Sequence, residues 1–241
     1  MKVKITLSYD GSQFYGYQSQ NNGTTTVANM LQDALQSLGI ETKIHASGRT
    51  DRGVHASGQV IDIDIPRHWE DLKKFKNYLN RLCLPSIMIK DIQEVGDDFH
   101  ARYSAKKRLY RYVVKEGEVS VFGAPYLCYH DKIDREKIEE AVQLFEGVHD
   151  FAYFCKSGSE PKSTIREIYK CRVYLHQGFY ILTFEANGFL RSQIRLMVAF
   201  LLEIALGQHN KEQLIEQLTL KKKHPMKPAP ANGLYLSNII Y

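Results

Sequence analysis

Hydrophobic and polar residues alternate along the first positions of the chain, and this period predicts a β-strand with one buried face. Val3, Ile5 and Leu7 share that face with Tyr9. The same reading of periodicity, caps and glycines extends through the first half of the chain. It predicts a strand at 2–9, a helix at 26–38, strands at 43–47 and 58–65, a helix at 69–82 and a strand at 87–95.

The strand at 58–65 shows the alternation clearly. Ile61, Ile63 and Ile65 lie on one of its faces, whereas Asp62 and Asp64 lie on the opposite face. A period of two with isoleucine on one side is typical of a strand that covers a hydrophobic core.

The second half repeats the order of elements of the first half. Its pattern predicts a strand at 107–115, a helix at 134–146, strands at 164–175 and 178–186, a helix at 189–206, a short helix at 211–218 and a strand at 233–240. Each half therefore reads β-α-β-β-α-β, which is the ferredoxin-like pattern. We expect an α+β protein of two ferredoxin-like domains, 1–105 and 106–241, whose antiparallel sheets abut around a central catalytic cleft.

Composition places the chain among globular cytoplasmic proteins. It has 241 residues, of which 44% are hydrophobic and 24% charged. The longest apolar stretch, 196–206, contains Glu203 and is shorter than the roughly 20 residues that span a membrane. The first residues lack the apolar block of a signal peptide. We expect the four cysteines to be reduced structural thiols, because a chain of this size does not need disulfides.

Motifs for metals and nucleotide cofactors are missing from the sequence. It contains no HExxH, no GxGxxG, no P-loop and no pair of cysteines at zinc-finger spacing. We therefore expect a protein that works without a metal or a cofactor.

Positive charge is concentrated in the second half of the chain. The formal net charge is +5, and the whole excess lies in residues 106–241. Two clusters carry it, Lys106-Lys107-Arg108 and Lys221-Lys222-Lys223. Such clusters are typical of phosphate contacts in nucleic-acid-binding proteins, although each one alone is also compatible with a solvated face.

The densest group of polar residues is the loop at 46–56, which joins two predicted strands. It contains two glycines, Arg49, Asp51, Arg52 and His55. A surface hairpin with an Asx turn at Asp51 is one interpretation. The other is a reactive loop, in which the two arginines hold phosphates and the lone carboxylate acts as a nucleophile or an electrostatic group.

Six segments of the chain resemble, in order, the motifs of one family. GRTDRGVHA at 48–56 resembles the GRTDxGVHA signature of the tRNA pseudouridine synthase A family. The other five are YDGSQFYGYQ at 9–18, FHARYSA at 99–105 with Tyr110 and Tyr112, GVHDF at 147–151, ANGFL at 186–190 with Arg195, and APANGL at 229–234. Each match is short, but their order covers essentially the whole chain.

The resemblance implies a tRNA-modifying isomerase that acts as a homodimer on uridines 38 to 40 of the anticodon arm. By that resemblance Asp51 is the catalytic aspartate, Arg195 pairs with it, Tyr110 packs on the target base, and Arg49 helps to displace that base and holds its phosphate. Periodicity alone leaves Tyr112 as eligible as Tyr110. An arginine within the apolar run around 195 needs a carboxylate partner if it is buried, or else it extends to solvent.

The sequence departs from the family pattern at five positions close to these motifs. They are Tyr17, Arg52, Ser192, Gln193 and Leu196, where the family usually has Trp, Ala, His, Met and Asn. A divergent paralogue that modifies other uridines, and a tRNA-binding or chaperone module without turnover, are therefore the alternatives. A hydrolase that uses Asp51 is a third, although the motifs supply neither a second carboxylate nor a metal set.

Overall fold

The computed structural model describes residues 1–20, 24–158 and 161–241, and has the mixed α+β composition that the sequence predicts. The chain divides into two compact units. Unit 1 comprises residues 1–106 and 235–241, and unit 2 comprises residues 107–234.

Unit 1 is built on a mostly antiparallel sheet. Its strands are β1 (Lys2–Tyr9), β2 (His45–Ala46), β3 (His55–Asp64), β4 (Ile87–Glu94) and, entering from unit 2 at its first residue, β10 (Leu234–Ile240). β1 lies between β4 and β3 and pairs antiparallel with both, whereas β10 runs parallel to β3 and β2 pairs with β3. Along the chain, the strands and α-helices of the first half follow the order that the sequence predicts.

Two helices of unit 1 begin at capping side chains, and the second begins at Leu72, three residues after the predicted start. In α1 (Val27–Ser37) the Thr26 side chain accepts a hydrogen bond from the Asn29 amide at 3.2 Å. In α2 (Leu72–Cys83) the Asp71 carboxylate accepts from the Lys74 amide at 3.0 Å. Each cap satisfies an amide that has no partner within its helix, which fixes where the helix starts.

The described residues of unit 2 contain five complete strands and three α-helices. The strands are β5 (Lys107–Glu116), β6 (Cys128–His130), β7 (Gly147–Asp150), β8 (Ile165–His176) and β9 (Phe179–Ala186), and the helices are α3 (Arg135–Val142), α4 (Gln193–Ala205) and α5 (Lys211–Leu218). β5, β9, β8 and β7 pair in that order, antiparallel throughout, and β6 runs parallel to β5. α3 packs against α4 and against β8.

The structure corrects the sequence-based description at the end of the chain. The predicted second domain, 106–241, included the last strand. In the structure Tyr235 and Leu236 pair with His55 and Ala56 of β3, so residues 235–241 group with unit 1. Periodicity identified this strand correctly but carries no information about which distant strand it pairs with.

Two further differences concern short or irregular segments. The short strands β6 and β7 were not predicted, because three or four residues are too few to show a period. The helix predicted from Phe189 begins only at Gln193, because Ser192 adopts a left-handed conformation (φ 58°) and Gln193 Oε1 accepts a hydrogen bond from the Leu190 amide at 2.8 Å. Within the described ranges, no helix is long and apolar enough to cross a membrane.

Close approach of β10 to β3 generates a first prediction. A Cβ at Gly58 would overlap the Ser237 carbonyl oxygen. We expect Gly58→Ala to lower the free energy of unfolding by about 1–3 kcal/mol, the usual cost of overpacking, because a backbone carbonyl has little room to retreat. Urea unfolding measures this loss.

Ser57→Ala is the matched control. The Ser57 hydroxyl is exposed, and at 3.5 Å its hydrogen bond to the same carbonyl is long, so its loss should change stability little. Equal stability of the parent and Gly58→Ala would contradict the pairing of the C-terminal strand with β3.

Candidate active site

Asp51 opens a tight turn in the loop between β2 and β3. Its carbonyl accepts a hydrogen bond from the Val54 amide at 3.1 Å, and Gly53 adopts a left-handed conformation (φ 79°) that closes the turn. A non-glycine residue would be strained at that φ, which explains the glycine. The Asp51 side chain is half-buried.

The base of this loop is fixed by buried hydrogen bonds to β3. Ser47 donates from its amide to the Val60 carbonyl at 2.9 Å and from its hydroxyl to Gln59 Oε1 at 2.7 Å. The Gln59 amide group in turn donates to the Gly48 carbonyl at 2.9 Å. Ser47 and Gln59 are both buried, so these bonds are shielded from competition with water.

The segment from Tyr9 to Tyr17 holds the middle of the loop at Thr50. The hydroxyls of Tyr9 and Thr50 are 2.8 Å apart, and the Tyr17 amide donates to the Thr50 carbonyl at 3.1 Å. Gly16 has φ 101°, and a Cβ there would lie 3.0 Å from the same carbonyl. The residue beside the catalytic candidate is therefore bound through both its side chain and its backbone.

His55 fixes the far end of the loop. Its Nδ1 accepts a hydrogen bond from the Gly11 amide at 2.9 Å, and its ring stacks on Tyr235 of β10 at 4.7 Å. Asp10 Oδ1 also approaches His55 Nδ1, at 3.3 Å. A Cβ on Gly11 would overlap the Val54 carbonyl, so glycine is required at this contact.

The two arginines of the loop differ in their surroundings. Both are exposed, but the Arg52 guanidinium lies 4.1 Å from the centre of the Tyr15 ring. This is a cation–π contact within the protein.

The departures from the family pattern are mostly buried. Tyr17, Gln193 and Leu196 are all buried, and Ser192 is half-buried in the turn that precedes α4. Burial raises the pKa of Tyr17. Substitutions at buried positions change packing. Arg52, by contrast, is the one departure with an exposed side chain.

The surroundings of Tyr110 and Tyr112 in unit 2 distinguish the two tyrosines, which the periodicity of the sequence could not do. Tyr112 is fully buried, and its hydroxyl donates to the Pro230 carbonyl at 2.8 Å. Burial, with Cys128 nearby, raises its pKa well above the usual value. Tyr110 keeps 8% of its surface exposed and packs edge-on against Phe189 at 5.3 Å. Tyr112 therefore supports the fold, and Tyr110 is the candidate for contact with a substrate.

Arg195 projects from the first turn of α4 and is half-buried. Its Nε donates to the Ala229 carbonyl at 2.7 Å, and the Ala229 amide donates to the Arg195 carbonyl at 3.0 Å. This reciprocal pair ties the APA segment to α4 and fixes the start of the side chain. The geometry satisfies part of the guanidinium inside unit 2, a contact that sequence analysis did not foresee.

Two residues of the first basic cluster also have partners within unit 2. Lys107 Nζ lies 2.6 Å from Glu185 Oε1, which raises the pKa of Lys107, and Arg108 donates to the Asn187 carbonyl at 2.9 Å. Lys221, Lys222 and Lys223 are exposed. In the described part of the chain, no three His, Cys, Asp or Glu residues are arranged to hold a metal ion.

The structure thus places two of the four candidates in each unit. Arg49 and Asp51 share the clamped loop of unit 1, and Tyr110 and Arg195 lie in unit 2. Sequence analysis missed the residues that position them, chiefly Thr50, Gln59 and the carbonyl of Ala229. Two of these bonds end on backbone carbonyls, which every residue has, so the sequence does not reveal them. The signal for Thr50 and Ala229 was their position inside family motifs.

Comparisons with known proteins agree with the family motifs found in the sequence. A family model described as tRNA pseudouridine synthase matches residues 5–104 and 141–241. A tRNA pseudouridine synthase A of Campylobacter jejuni is 43% identical over the full length of both chains. Those of Wolinella succinogenes and a Geobacillus strain are 41% and 39% identical, covering 98% and 100% of this chain and 92% and 98% of theirs.

A chain from the crystal structure of a Cbf5-Nop10-Gar1 complex aligns with 84% of this chain and 44% of its own length. The TM-score is 0.37 and the identity is 13%, a likeness too distant to support any conclusion. The full-length relatives and the family model decide the matter instead: the chain belongs to the tRNA pseudouridine synthase family.

Proposed function

We propose that this isomerase converts uridine to pseudouridine at positions 38 to 40 of the tRNA anticodon stem-loop, in the cytoplasm and without a metal or cofactor. The reaction breaks the N-glycosidic bond, turns the uracil and joins its C5 to the ribose, so it needs no redox partner. The observation that carries the proposal is the GRTD loop, which is intact at 48–51 and holds Asp51 in a fixed turn within a member of the family.

In this proposal Asp51 is the nucleophile. A carboxylate that attacks the sugar or the base and later leaves divides one difficult step into two easier ones. Such a group must be held in place before the substrate arrives, since a displacement of ~1 Å can cost ~100-fold in rate. The bonds at Ser47, Thr50 and Val54 supply that positioning.

We assign Arg195 the role of positioning Asp51 in the complex with RNA. A guanidinium can bind a carboxylate through two parallel N–H bonds, which fixes both oxygens. Its Nε is engaged by the Ala229 carbonyl, so the terminal amino groups are the donors that would hold the carboxylate end-on. The assignment requires Asp51 and Arg195 to meet during the reaction.

Tyr110 and Arg49 complete the proposed substrate contacts. The Tyr110 ring is held by Phe189 and would stack on the target uracil; base–aromatic stacking typically contributes ~1–3 kcal/mol. Exposed Arg49, two residues from the nucleophile, would hold the phosphate of the displaced nucleotide. Taking a base out of a stack costs a few kcal/mol, and these contacts would offset part of that cost.

The proposal includes an architecture and an assembly. The two halves are ferredoxin-like, the first carries the catalytic loop, and the second is basic and carries the tyrosine and the arginine. Catalysis takes place in a central cleft to which both contribute, within a homodimer that binds one or more tRNAs. The mixed α+β composition, the excess of positive charge after residue 106 and the family membership support this description.

We expect Asp51→Asn to abolish pseudouridine formation while tRNA affinity stays within a few-fold of the parent, because affinity comes mainly from phosphate contacts. Unmodified tRNA transcripts are incubated with each protein in excess EDTA, and pseudouridines are then mapped by position. The parent should modify positions 38 to 40 under these conditions.

Four outcomes would count against parts of this account. Turnover by Asp51→Asn would remove the nucleophile, and modification at other uridines would favour the divergent paralogue. A parent that binds tRNA but forms no pseudouridine would favour the module without turnover. Activity lost in EDTA and restored by zinc would reveal a metal requirement.

Arg195→Lys should fold and bind tRNA but lose most of the single-turnover rate, roughly 100-fold, because an ammonium holds a carboxylate as a point charge and not through a rigid fork. Arg195→Ala should in addition unfold at a lower urea concentration, since it loses the bond to Ala229. Rates are measured with enzyme in excess over tRNA.

The matched control is Arg191→Lys, an exposed arginine four residues earlier, which should keep the parental rate. If Arg195→Lys also isomerises at the parental rate, Arg195 does not position Asp51 and is better assigned to phosphate binding.

A further inference from the structure

Unit 1 carries a group of aromatic and basic side chains that the proposed mechanism does not use. His100, Arg102 and Tyr103 lie on the turn that follows β4, and His45 lies in β2. We refer to these four residues as the His–Tyr cluster. None of them belongs to the loop that presents Asp51.

The rings of the His–Tyr cluster form a continuous series. His45 and His100 stack with their centres 4.6 Å apart and their planes within 23°, and His100 and Tyr103 follow at 4.5 Å with a tilt of 47°. The guanidinium of Arg102 lies 5.5 Å from the centre of the Tyr103 ring, within the range of a cation–π contact.

The outermost ring of the series faces solvent. Tyr103 is 76% exposed, and Arg102 beside it is exposed as well. The two histidines beneath are half-buried. An exposed aromatic ring with a cation beside it is the combination by which proteins stack on single-stranded bases and contact the adjoining phosphate.

A buried carboxylate fixes the inner end of the series. Asp62, only 1% exposed, accepts from His45 Nδ1 at 3.0 Å and from the Ala101 amide at 2.6 Å. It therefore links β2 to the turn. Sequence analysis placed Asp62 on the face of β3 away from the isoleucines, and the turn covers that face at this point.

The turn has its own internal bonds. The Arg102 amide donates to His100 Nδ1 at 3.1 Å, the His100 amide donates to the Ser104 hydroxyl at 3.1 Å, and the Ser104 amide donates to the His100 carbonyl at 2.9 Å. These bonds fix the backbone that carries Tyr103 and the His100 ring against which it packs, so less conformational freedom is lost when a ligand binds there, which favours binding.

We propose that the His–Tyr cluster is a second RNA contact, in which an unpaired base of the RNA substrate stacks on Tyr103 and Arg102 contacts the phosphate beside it. The proposal rests on the proposed function in that it takes the substrate to be RNA. It does not depend on which uridine is modified or on how Asp51 acts.

Tyr78 provides a matched comparison within the same unit. It is 37% exposed, and the guanidinium of Arg81 also lies 5.5 Å from its ring centre. Its other ring neighbour is Trp69, which meets it edge-on at 5.6 Å, and not a stacked imidazole pair. A variant of Tyr78 therefore controls for the loss of any exposed tyrosine beside an arginine.

The test compares Tyr103→Leu, Tyr103→Phe and Tyr78→Leu in equilibrium binding to an unmodified tRNA transcript over a range of salt concentrations. We expect Tyr103→Leu to weaken Kd about fivefold or more, the lower end of what one stacked base contributes. Tyr103→Phe should bind like the parent, because the ring and not the hydroxyl makes the contact. Tyr78→Leu should keep parental binding and turnover.

Arg102→Gln separates the charge from the ring. It should make the dependence of log Kd on log salt shallower by about 0.7–0.9, the effect of one phosphate contact, whereas Tyr103→Leu should leave that slope unchanged. Thermal unfolding of each variant checks that the exposed substitutions leave the fold intact.

Parental binding by Tyr103→Leu, or an equal loss in Tyr103→Phe, would overturn the stacking contact. So would an equal loss in Tyr78→Leu. A parent that binds tRNA and shows these differences without forming pseudouridine would contradict the proposed function alone, so the two failures are distinguishable.

Discussion

The backbone of Thr50 and its neighbours is the constraint on which the candidate active site depends. Asp51 has to stand at one position in a loop of about eight residues, and a loop of that kind is ordinarily mobile. Here its base is bonded to β3 through Gln59, its middle to the Tyr9–Tyr17 segment and its end to Gly11. Two glycines, Gly11 and Gly16, let that segment approach closely enough to make these bonds. The conformational entropy of the loop is therefore lost on folding, before any RNA binds.

Unit 2 uses the same principle with different elements. Arg195 extends from an apolar helix, where burying a guanidinium without a partner would be costly. Its Nε donates to the Ala229 carbonyl, which offsets part of that cost, and the Ala229 amide donates back to the Arg195 carbonyl. Tyr112, buried two residues from Tyr110, is bonded to Pro230 in the same APA segment. One short segment near the end of unit 2 thus fixes both the arginine and the strand that carries the candidate stacking ring. This explains in physical terms why the family motif at 229–234 contains no reactive side chain.

Much of the fold and of the site could be predicted from the sequence, since strong periods and caps gave β1, α1 and α2, and the motif order led to Asp51, Tyr110 and Arg195. What could not be predicted depends on long-range geometry. The pairing of β10 with β3 leaves no local pattern, and the late start of α4 depends on a left-handed turn at Ser192. Asp62 is buried under a turn whose Ala101 amide donates to its carboxylate from 39 residues away along the chain. The contact of the Arg52 guanidinium with the Tyr15 ring likewise leaves no pattern in the sequence.

Hydrogen exchange of individual backbone amides in the protein without tRNA tests this account most directly. The amides of Gly11, Tyr17 and Val54 donate the bonds that hold the Asp51 loop. A preformed loop predicts that they exchange slowly, within about tenfold of the core amides of β1 and β3, and that adding tRNA leaves their rates unchanged. Exchange at the rate of an unstructured peptide, slowed only when tRNA is added, would contradict the account, because the loop would then be organised by its substrate.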